Sequence, residues 1–210
     1  MVNTRLAVDI AESVEGTLNT PKKLQFQDYL NQIEWKNWEA CKKMYDENRE
    51  KFETAGGSSV KHQAWEWGYI DHMEQIMGLA RGIYPIFNMN CGTQPFSLSD
   101  AYLTLFLHDL EKPWKYAGTP EEKKRFESDT PEEAHKAVKK FMLEKVNEYG
   151  IDLTPEHMNA LKYVHGEWDD YDPKKNIMNA LASFIHSCDT MSARGWHEFP
   201  TPGQRFIDRA

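Results

Sequence analysis

Five times before residue 180 a Thr or Asp stands directly before a proline: NTPKK at Thr20, GTPEE at Thr119, DTPEE at Thr130, LTPEH at Thr154 and YDPKK at Asp172. A short polar side chain can accept a hydrogen bond from an otherwise orphan amide of a first helical turn. The proline that follows has φ preset for a helix and no donor to waste. Each pair therefore predicts a helix start. At Thr130 the Glu133 three residues on adds the pattern of a capping box, and a helix over about 131–148 is predicted, ended by Gly150. With repeated helix starts and no alternating apolar pattern of strand pairs, the fold class is all-α. At 210 residues the length suits a single domain spanning 1–210.

Helical spacing fills in the rest. Leu30, Ile33, Trp38, Cys41 and Tyr45 predict one long amphipathic N-terminal helix over about 21–54, stopped at Gly56-Gly57. Trp65, Tyr69, His72, Ile76, Leu79 and Ile83 fall on one stripe of a helix over about 59–84, which turns His72 inward. A loop and cap in NMNCGTQPFSLSD precede a helix that begins near Ser99 or Asp100 and stops around Pro113. Further helices are expected over about 155–166 and 174–194.

The formal charge of −8 disfavours a nucleic-acid polymer or an anionic membrane as partner, while leaving room for a local basic pocket that takes a small phosphorylated substrate. Cys41, Cys91 and Cys188 are scattered and odd in number, as expected in a reducing cytoplasm. No apolar signal core and no run of eighteen apolar residues is found, so a soluble cytoplasmic protein is expected, with a homo-oligomer compatible.

Within LFLHDLEKPWKY, His108-Asp109 interrupts an apolar run where a buried helix would place another leucine. Other polar residues also point inward by helical spacing: His135 with Val138, Met142 and Val146, His165 after Met158 and Leu161, and Asp189 with Ala182 and Ile185. A single inward histidine is usually a hydrogen-bonded core residue, and an inward Asp a cap or ion pair. Four imidazoles and two carboxylates turned inward together are better explained by one shared cation. Nitrogen and carboxylate ligands without thiolate suit Fe, Mn, Co, Ni or Zn.

The order His72, His108-Asp109, His135, His165, Asp189 resembles the HD-domain superfamily of metal-dependent phosphohydrolases. DHMEQIMGLARGIY is similar to that family's first histidine helix, LFLHDLEKPWKY to its LLHDIGKP motif and SFIHSCDTMSARG to its final xxADxLSAxG helix. The resemblance covers about residues 62–196 and implies an HD-type helical bundle, with residues 1–60 as an additional helical extension. It implies that His72, His108, Asp109 and Asp189 hold one metal, and that His135 and His165 hold a second bridged by Asp109. Two divalent transition-metal ions would then activate water for cleavage of a small phosphoester, most naturally a nucleotide or deoxynucleotide. Asp109 and Lys112 would be the catalytic residues, with Lys112 binding phosphate. Mixed-valent diiron oxygenases similar to inositol oxygenase use the same ligands and form the alternative reaction class.

Glu111 stands where the family usually has Gly. Arg194, Lys162 and Lys115 are further candidate phosphate cations, and Trp114 or Tyr116 a candidate stacking surface. His186, one turn before Asp189, is a candidate ligand or hydrogen-bond donor. His62, His157 and His197 read as surface or packing residues, and the Trp65–Trp67 segment as core packing.

Overall fold

The computed structural model describes residues 24–59 and 63–195, and among these every regular element is helical. In chain order they are α1 (Phe26–Leu30), α2 (Trp35–Glu47), α3 (Arg49–Thr54), α4 (Gly68–Cys91), α5 (Leu98–Leu107), α6 (Lys112–Ala117), α7 (Pro120–Lys124), α8 (Pro131–Tyr149) and α9 (Pro155–Tyr163). A 3₁₀ turn (Trp168–Asp170) and α10 (Ala180–Gly195) complete the set. The all-α expectation is met.

Three of the five predicted helix starts are used. Thr119, Thr130 and Thr154 cap α7, α8 and α9, each accepting from the amide three residues on, and each proline opens its helix. Thr119 and Thr154 form full reciprocal boxes, whereas the Glu133 carboxylate does not return the bond to Thr130. Gly150, at φ 71°, ends α8 in the left-handed conformation that glycine adopts without cost. Thr20-Pro21 lies outside the described residues. Asp172-Pro173 makes a turn instead of a helix start, its carboxylate accepting from the Lys174 amide at 2.9 Å. α10 consequently begins later than position 174. It is Asn179 that caps it, accepting from the Ala182 amide at 2.7 Å.

The N-terminal stretch is not one long helix. Within the described part it breaks twice, at 31–34 and at Asn48, into α1, α2 and α3. At the first break Asn31 accepts from the Trp38 indole at 3.0 Å. The breaks let Phe26, Tyr45 and Phe52, from three different segments, converge on one core. Phe52 is fully buried and meets five rings: Phe26, Tyr45, Tyr69, Phe106 and Trp114.

α4 starts at Gly68, not near 59, because the preceding loop turns back on Gln63, whose carbonyl accepts from the Gly57 and Trp65 amides at 2.8 and 2.9 Å. It then runs past Pro85 to Cys91. Proline withholds one amide from the helix, yet the continuation is held by rings on either side of it, Tyr84 and Phe87 packing with Phe96 and Phe184. α5 begins one or two residues earlier than expected, behind a Ser97–Asp100 capping box, and ends at Leu107. His108 to Glu111 form a turn, and Pro113 opens α6 in place of ending α5. α4 packs against α5, and α10 against both α4 and α9.

Phe52→Ala should destabilise the protein by about 3–5 kcal/mol, the usual cost of emptying an aromatic core site, measured by urea unfolding. Thr130→Ala should cost about 1 kcal/mol, the worth of one helix cap, and a loss near the Phe52 value would show that Thr130 does more than cap.

Candidate metal centre

Four side chains from three segments meet in the interior: His72 on α4, His108 and Asp109 in the turn after α5, and Asp189 on α10. All four are buried, and one potential ligand atom from each lies within 4.8 Å of the others. Ligands about 2.1 Å from a shared ion are at most about 4.2 Å apart, so the set needs only a small contraction to close on one cation. Asp109 Oδ2 is 3.1 Å from His108 Nε2 and 3.6 Å from His72 Nε2. Asp189 Oδ1 is 3.2 Å from His72 Nε2 and 3.7 Å from His108 Nε2. Both imidazoles thus turn the same nitrogen toward the same two carboxylates.

Local structure aims each ring. His108 Nδ1 is 2.7 Å from the Leu105 carbonyl oxygen, one helical turn back, so Nδ1 is the donor there and Nε2 faces the carboxylates. That Nε2 is buried and meets no atom in hydrogen-bonding geometry. His72 Nδ1 lies 3.0 Å from Ser192 Oγ on α10.

Lys112 is also buried, its ammonium 2.5 Å from Asp109 Oδ2. Burial works against charge on every one of these groups, and their mutual attraction decides which remain ionised. Asp109 and Asp189 are held well below the usual carboxylate range, because the neighbouring His108, joined by Lys112 beside Asp109, outweighs the cost of burial. Burial pulls His108 down, yet Asp109 and Asp189 together raise it to about 10. His72 goes the other way, burial lowering it to about 4. Glu111, raised to about 7 by burial and by the charge of Asp109, is a buried acid that neither Gly nor a surface residue would supply.

The remaining predicted residues divide sharply. His165 stands at the edge of the group, its Nε2 3.7 Å from Asp109 Oδ1 and 3.9 Å from Asp189 Oδ2, with a side chain that is 50% exposed. His135 is exposed on the first turn of α8, not turned into the core as its spacing predicted, and it joins no such ligand group among the described residues. The His135–His165 pair expected for a second metal is therefore not assembled.

Of the candidate phosphate cations only Lys112 reaches the centre. Lys162 is engaged with Asp170 at 2.7 Å, Lys115 rests over the Tyr116 ring at 5.6 Å, and Arg194 is exposed in the last turn of α10. Trp114 is buried in the aromatic core, leaving no face for a base. His186 is a tether and not a ligand, its Nδ1 2.6 Å from the Val164 carbonyl oxygen next to His165. His157 is buried against Asp100 at 3.1 Å, as a packing residue, while His62 and His197 lie outside the described residues.

Sequence reasoning missed Ser192, Gln75 and Gln63, which surround the outer nitrogen of His72. One signal was available: Gln75 and Ser192 lie three residues beyond His72 and Asp189, one turn along the same helix faces.

No protein-family model, no curated protein and no solved structure matches this chain. Among the described residues no helix is long and apolar enough to cross a membrane.

A divalent ion entering this group must displace the proton that the carboxylates hold on His108. Metal uptake should therefore release about one proton per ion and tighten as the pH rises toward the His108 value of about 10. Titration calorimetry in buffers of different ionisation enthalpy reads the proton count, and an affinity that falls with rising pH would contradict this assignment.

Proposed function

We propose that this protein is a metal-dependent phosphohydrolase of the HD-domain type, cleaving a small phosphoester, most naturally a nucleotide or deoxynucleotide. The observation that carries the reading is the buried His72, His108, Asp109 and Asp189 group with the Lys112 ammonium against Asp109. Two carboxylates kept ionised in the interior supply the negative charge that can retain a divalent ion, and two imidazoles facing them supply the nitrogen ligands that a first-row divalent metal prefers. The ordered motifs DHMEQIMGLARGIY, HDLEKP and SCDTMSARG, which resemble those of the family, run through the same four residues.

A divalent ion held there supplies Lewis acidity toward a phosphoryl oxygen and lowers the pKa of water. The chain's own contributions are distinct. Asp109 and Asp189 bring the negative charge that would retain the ion, His72 on α4 and His108 in the turn after α5 would fix its position, and Lys112 offsets charge on a phosphate brought to Asp109's side. His165, half exposed, marks the side on which the centre meets solvent and on which a substrate is admitted. The net charge of −8 favours a small phosphorylated molecule over a polymer. One divalent ion is supported by four buried ligands; a second would need His135, which stands apart.

Metal analysis of protein purified without added metal, followed by phosphate release from nucleoside mono-, di- and triphosphates with Mn, Fe, Co or Ni, tests the reading. Asp109→Ala should abolish metal retention and turnover, and Lys112→Met should lower turnover by about 10²–10³-fold, the usual loss on removing one preorganised charge-stabilising group. No phosphate release with any metal, together with oxygen uptake by an iron-loaded form, would replace the hydrolase reading with an oxygenase.

A further inference from the structure

The outer side of His72 is enclosed by an unusual polar cluster. Ser192 Oγ is 3.0 Å from His72 Nδ1 and donates its own proton to Gln75 Oε1 at 2.8 Å. The Gln63 amide donates to the same Gln75 oxygen at 3.0 Å and to Ser192 Oγ at 3.3 Å. A hydroxyl has one proton. With that proton committed to Gln75, Ser192 Oγ can only accept from the imidazole, so His72 carries its proton on Nδ1 and turns the Nε2 lone pair toward Asp109 and Asp189.

From this geometry we infer that Ser192, Gln75 and Gln63 form a positioning relay that fixes the tautomer of His72 and delivers its Nε2 to the cation site. The inference rests on the metal-centre reading for its purpose, while the tautomer itself is a property of the metal-free chain.

The relay is built, not incidental. Gln63 is fully buried at φ 46°, a left-handed conformation that a non-glycine residue keeps only when its surroundings hold it there. Two glycines make room for it: a Cβ at Gly68 would lie 1.9 Å from the Gln63 carbonyl oxygen, and one at Gly57 would lie 2.8 Å from the Gln63 Cβ. The loop before α4 is thus shaped around one glutamine, whose side-chain nitrogen reaches α10 across a sequence separation of 129 residues. Partners that orient a ligating imidazole are commonly worth 10–100-fold in metal affinity.

Two variants separate orientation from mere packing. Ser192→Ala removes the acceptor and should weaken Mn or Co binding by about 10–100-fold. Gln75→Leu leaves Ser192 in place but frees its proton, which can then be donated to His72 Nδ1, so the ring should move its own proton to Nε2 and metal affinity should fall again. Nitrogen-15 NMR of the histidine rings in the metal-free full chain reads the tautomer directly. The His108 ring, its Nδ1–H held by the Leu105 carbonyl, serves as an internal control that the centre is folded.

Wild-type His72 in the Nε2–H form, or Gln75→Leu with an unchanged tautomer and an intact His108 signal, would overturn the relay. Should the wild-type chain bind no divalent metal at all, the metal-centre reading fails while the NMR comparison still decides whether the relay exists.

Discussion

The confinement of two ionised carboxylates, Asp109 and Asp189, in the interior is the constraint around which the rest is arranged. A buried charge is tolerated only where it is paired and hydrogen-bonded. Asp109 sits in the turn after α5 and Asp189 on α10, so their compensating groups must come from elements brought against both. His72 from α4 faces both, His108 reaches both from the turn itself, and Lys112 at the start of α6 closes on Asp109. The contacts of α4 with α5, and of α10 with α4 and α5, are the packing that this electrostatic arrangement requires.

The aromatic core on the other side of α5 serves the same end by a different force. Phe52 stacks with Phe106, two residues before His108, and meets Trp114, two residues after Lys112. The broken N-terminal segment thereby clamps both flanks of the turn that carries the ligands, even though it supplies no ligand itself. Apolar burial sets where the backbone of that turn lies, and charge pairing sets which way its side chains point.

Much of this was legible in the sequence, and the misses share a cause. Periodicity tells where a residue lies around a helix axis, so His72 and Asp189 could be placed facing inward from their neighbours alone. It does not tell how far along the axis the protein body extends. His135 shares its angular position with Met142, but in α8 only Phe141 and Met142 are buried, and the first turn stands clear of the core. The N-terminal stretch fails in a related way: its stripe is continuous in sequence, yet Asn31 and Asn48 mark breaks that tertiary packing exploits. The parts played by Ser192, Gln75 and Gln63 were hidden for a third reason, since helix position hints at two of them but not at what they bond. Hydrogen-bond direction depends on which partner already holds a proton, and no spacing rule encodes that.

The uneven exposure of the centre has a kinetic meaning. His72, His108, Asp109, Asp189 and Lys112 are all closed in by protein, and His165 alone is half open. For an ion held there as proposed, the half-open edge at His165, next to the Val164 carbonyl that His186 contacts, is the side on which exchange with solvent would take place.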